Sequence, residues 1–138
     1  MNTLAIIGSA SNVLVAIFAG IALFIGIRQV NISREVSALS AYENYHMACL
    51  QYPDFAGGRI NHSKCDPKTL DCYLTFVLYA LMTGERVLKL FPADETWVYA
   101  VKDDIRLHRS LIASDYFAGY RAHQDPVIRA LIDEVLEE

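Results

Sequence analysis

Apolar residues follow two regimes along this chain. From Leu4 to Ile27, twenty-four consecutive positions carry no formal charge. Beyond Arg28, apolar residues recur at intervals of three and four among polar ones. An uncharged helix of that first length spans ~36 Å, enough to cross a ~30 Å hydrocarbon core with some tilt. The second pattern is a helical period, and no segment alternates with a period of two. The expected fold is therefore all-α. A single-pass transmembrane helix, residues 1–28, continues into a small cytoplasmic helical bundle, residues 29–138.

Two other readings of the first segment fit less well. A cleaved signal peptide needs a basic start and an apolar stretch of ~7–15 residues. Here Met1, Asn2 and Thr3 carry no basic side chain, and the apolar run is longer. A buried helix in a soluble domain needs more surrounding protein than this chain supplies. Arg28 and Arg34 follow the span, and no basic side chain precedes it. The positive-inside rule then expects the inner (cytoplasmic) membrane, with the N-terminus outside and the C-terminal domain in the cytoplasm. An odd set of cysteines, Cys49, Cys65 and Cys72, fits a reducing compartment better than a disulfide framework.

Punctuation along the remainder predicts where helices start and stop. Neither proline nor glycine lies between Ile27 and Tyr52, so the first helix is expected to run on to Tyr52-Pro53. A loop follows, with Gly57-Gly58 and Asn61. Asp66-Pro67 and Asp125-Pro126 each pair a capping aspartate with proline at the first helical position. The first opens a central core helix running towards Pro92; the second opens a terminal amphipathic helix. Asp94 caps a helix whose apolar positions, Trp97, Val98, Val101, Ile105 and Ile112, keep helical spacing, with His108 among them.

Candidate chemistry is sparse. Gly8, Asn12, Ala16 and Gly20 recur at every fourth position and form one narrow stripe within the span. Small residues let helix backbones approach closely in lipid, and an amide facing hydrocarbon needs a partner. The stripe is the expected seam of a homo-oligomer. Lys102, Arg106 and Arg109 share a helix face, with His108 beside it, and such a face can hold an anionic small-molecule ligand such as a phosphate. The competing reading is a solvated face neutralised by Asp103 and Asp104. His46, Cys49, His62 and Cys65 form a weak zinc candidate, because their two His-x-x-Cys spacings differ from the usual paired cysteines. Arg59, His62, Lys64 and Lys68 read as a solvated loop rather than a lipid-binding cluster.

No nucleophile elbow, glycine-rich phosphate loop or cofactor motif is present in the sequence, so no enzyme activity and no cofactor are expected. A formal net charge of −4 gives no reason to expect a DNA or RNA polymer as partner. The layout resembles that of many small bacterial membrane proteins, among them membrane effectors of anti-phage defence. That likeness is one of architecture and carries no residue across. The expected function is a membrane-anchored, self-associating interaction or regulatory module. It would contact membrane lipid and bind a protein partner or a small ligand through the cytoplasmic domain. The alternatives are a membrane effector gated by an anionic nucleotide second messenger, and an accessory subunit of a larger membrane complex.

Overall fold

The computed structural model describes residues 3–92 and 94–138, with side chains described from Val13 onward. Among these residues there are seven helices and no strand. They are α1 (Thr3–Gln51), α2 (Pro53–Ala56), α3 (Pro67–Leu90), α4 (Glu95–Leu107), α5 (Arg109–Ile112), α6 (Asp115–Ala122) and α7 (Pro126–Glu137). The chain divides into two compact units, Met1–Val36 and Ser37–Glu138.

In the first unit, the apolar side chains from Val13 to Ile27 stand exposed; Phe18, Leu23 and Phe24 are about two-thirds so. An 18-residue window within Val13–Gln51 has a mean hydropathy of 2.2, and none of it is buried. This helix is long and apolar enough to cross a membrane.

The second unit is built around α3. Its sequence starts where expected: the Asp66 carboxylate accepts from the Thr69 backbone N–H at 3.1 Å, and Pro67 occupies the first turn. The apolar stripe Tyr73, Leu74, Val77, Leu81 and Leu88 faces inward. Against it pack Val101 and Ile105 of α4, Leu111 and Ile112 of α5, Phe117 of α6, and Ile128, Ile132 and Val135 of α7. The α7 residues follow the i, i+4, i+7 rule, so one helical face supplies all three. Burying each such side chain contributes roughly 1.5–3 kcal/mol.

Caps also fix the starts of α4 and α7. Asp94 accepts from the Thr96 N–H at 2.9 Å, and Asp125 accepts from the Val127 N–H at 2.9 Å. Asp125 also pairs with Lys89 at 2.9 Å, which ties the end of α3 to the start of α7. At Gly84 an added Cβ would lie 3.0 Å from both Val101 methyls, so the glycine lets α3 and α4 meet closely.

Two departures from the sequence reading are local. Helical spacing continues from Asp94 through Ile112, but α4 ends at Leu107 and α5 starts at Arg109. His108 sits at the break with φ −104° and ψ 11°, and its N–H is shared between Asp104 and Ile105 carbonyls. The break lets Leu111 and Ile112 rejoin the core from a turned backbone. The short α2 also escaped the periodicity, because four residues are too few to show one.

Candidate functional site

The basic face of α4 is real, and α7 lies along it. Lys102 pairs with Glu134. Arg106 grips Glu138 with two bonds, at 2.8 and 2.5 Å, and also reaches Asp103 at 3.4 Å. Arg109, at the start of α5, donates to the Leu136 carbonyl at 3.0 Å. The three basic residues are thus brought together, and their counter-charges come chiefly from α7. The bonds to Glu138 raise the Arg106 pKa and hold the Glu138 carboxyl below its ordinary value. An anion arriving at this face would have to displace both glutamates.

His108 does not belong to that face. It is 1% exposed and its Nδ1 lies 2.9 Å from the Tyr73 hydroxyl. Burial pushes the imidazole down to about 4 and the Tyr73 phenol up to about 12. Both groups are therefore neutral at pH 7. The phenol and Nδ1 share one hydrogen bond, and the other ring nitrogen, Nε2, is buried without a partner among the described residues. The helical position that placed His108 beside the stripe in sequence is overridden by the break at that residue.

Asp104 does not neutralise His108 either. It faces α1, where the buried Tyr45 hydroxyl donates to its Oδ1 at 3.3 Å. Burial pushes the Asp104 carboxyl up to about 6, against the opposing pull of the Tyr45 bond and of His46. Among the described residues no cation pairs with it. The Tyr45 phenol is raised in turn, by burial first and by Asp104 second. Tyr42 packs edge-on against Trp97 at 4.9 Å and against His46 at 4.6 Å, closing this seam with aromatic rings.

The four zinc candidates are not gathered. Among the described residues no three His, Cys, Asp or Glu side chains are placed to hold a metal ion. His46 and Cys49 remain on α1, with Tyr42 and Tyr45 for neighbours. His62 Nδ1 lies 3.2 Å from Ser110 Oγ, and Cys65 donates to the His62 carbonyl at 3.6 Å. Each pair finds local partners, so the spacings do not converge. Of the seam residues, Ala16 is exposed and Gly20 has open space around it. Gly8 and Asn12 fall in α1, but their side chains lie outside the described residues.

A groove of about 390 Å³ opens where the end of α1, α2 and α3 meet. Aromatic rings from Tyr52, Phe55, Phe76 and Tyr79 line it, with Asp71 and Cys72 beside them. The sequence pattern gave no pointer to it, because its walls come from three elements and a turn. No protein-family profile, no curated protein and no solved structure matches the chain.

Proposed function

We propose that this protein is a membrane-anchored helical module that self-associates through its span and binds a partner or small ligand through the 37–138 unit. The observation that carries the reading is the uncovered apolar run of α1 from Val13 to Ile27, attached to a unit with its own closed core. Leaving so many large apolar side chains in water costs roughly 1.5–3 kcal/mol each, so lipid or other copies of the helix must cover them. A small-residue stripe is suited to the second role and leaves the remaining faces for lipid. Arg28 and Arg34 favour the cytoplasm for the folded unit.

Expression of the full chain in bacteria tests this directly. The protein should stay with membranes through an alkaline carbonate wash. The exposed Cys72 should react with a membrane-impermeant maleimide only after the cells are permeabilised. Crosslinking in membranes should trap oligomers, and Asn12→Leu should reduce them severalfold. Release by carbonate would end the anchored reading. Labelling of Cys72 in intact cells would reverse the orientation, and an unchanged crosslinking pattern in Asn12→Leu would remove the stripe from the interface.

A further inference from the structure

The geometry points to a binding site for a lipophilic organic cation in the groove between the end of α1, α2 and α3. The site stands apart from the basic face of α4, and it depends neither on membrane attachment nor on self-association. Its volume, about 390 Å³, lies within the ~300–1,000 Å³ range of small-molecule pockets. Its walls are suited to a flat apolar body. Tyr52 and Phe55 stack at 5.6 Å with 11° between their planes, and Phe76 meets Phe55 edge-on at 6.0 Å.

Charge selects among apolar ligands. Asp71 is the single charged residue lining the groove. One of its oxygens accepts from the Tyr116 hydroxyl at 2.8 Å, and no Lys, Arg or His among the described residues pairs with it. Asp71 is exposed and keeps its water beside a purely apolar occupant, which would gain nothing from the carboxylate. An anionic occupant would face it in repulsion. An ammonium or similar cation on an aromatic or alicyclic body satisfies both features. Its charge meets Asp71, while the ring faces of the walls add cation–π attraction within ~6 Å.

Cys72 lines the same groove and is exposed, so its alkylation reports occupancy. The test uses the full chain in lipid nanodiscs with 2-naphthylmethylammonium, 2-naphthylmethanol and 2-naphthoate, at free concentrations fixed by equilibrium dialysis. Iodoacetamide modification of Cys72 is followed by peptide mass, with Cys65 as internal reference. The ammonium probe should protect Cys72 at roughly fivefold lower concentration than the alcohol, with the carboxylate weakest. Asp71→Asn should bring the ammonium and the alcohol to the same concentration. Tyr116→Phe keeps the charge and removes only the hydrogen bond, so the preference should survive it. The proposal is overturned if no probe protects, if the alcohol matches the ammonium on the native chain, or if the preference persists in Asp71→Asn. Protection that rises with protein concentration in the absence of probe would overturn it too, since a second copy would then fill the groove. Should Asp71→Asn fail to fold, the order of the three probes on the native chain decides alone.

Discussion

Between pH 6.5 and 4, the Asp104→Asn variant should lose about 3 kcal/mol of stability, while the native chain changes little. The contrast follows from two buried groups whose proton affinities move in opposite directions. His108 is held down to about 4 from an ordinary 6.5. Between those values the unfolded chain binds a proton that the folded chain refuses, so stability falls as pH falls. At ~1.36 kcal/mol per pH unit, the full effect is about 3 kcal/mol. Asp104 is held up to about 6 from an ordinary 3.8. Between those values the folded chain binds the extra proton, so stability rises as pH falls, by about 3 kcal/mol on the same scale. The two windows overlap almost completely, and the slopes cancel.

Asparagine keeps an acceptor for Tyr45 but cannot titrate, so it exposes the histidine slope alone. The complementary His108→Gln variant should show the reverse slope, gaining stability on acidification. Urea denaturation of the full chain at each pH, read by Trp97, measures both; this is the chain's one tryptophan and it packs against Tyr42 and Phe91. Below about pH 4 a further decline belongs to Asp66, Asp125 and Glu138, whose carboxyls are lowered by their hydrogen-bond partners. An Asp104→Asn profile as flat as the native one would refute the opposed pair.

Gly58→Ala should cost about 3 kcal/mol, far more than an exposed loop position ordinarily does. Gly58 has φ +61°, where a side chain adds ~1–2 kcal/mol of backbone strain. The added Cβ would also lie 1.9 Å from the Leu107 carbonyl oxygen. Either the loop or the end of α4 must retreat by more than an ångström, and both carry core residues, Ile60 on one side and Ile105 on the other. Displacements of that kind cost ~1–3 kcal/mol in packed regions. Gly119→Ala is the matched control. It lies inside α6 with nothing within 4 Å, so alanine should be neutral or slightly stabilising there. Urea midpoints for the two variants settle the comparison, and a loss under about 1 kcal/mol at Gly58 would mean the loop has room to yield.

What the sequence made legible was local. Asp66-Pro67, Asp94 and Asp125-Pro126 each opened a helix because cap and first turn lie within three residues of one another. Tyr52-Pro53 stopped α1 for a reason equally short in range. The basic face was readable as a face, since Lys102, Arg106 and Arg109 lie within a few turns. Its counter-charges were not: Glu134 and Glu138 stand 32 residues away from Lys102 and Arg106, and only packing of α7 on α4 brings them near. Tyr45 and Asp104 are 59 residues apart, and nothing in local spacing couples them. His108 misled for the opposite reason. Its spacing was helical, but a buried bond to Tyr73 holds it at a turn, away from the stripe.

Among the described residues, the larger of the two apolar clusters closes without any from α1, while the smaller one, around Tyr45, Phe76 and Ala80, is what α1 joins. Residues 38–51 can therefore peel away as a latch while α3 to α7 stay folded. Backbone amides there should exchange with deuterium through a small opening, well before those of α3, whose release demands that the whole bundle come apart.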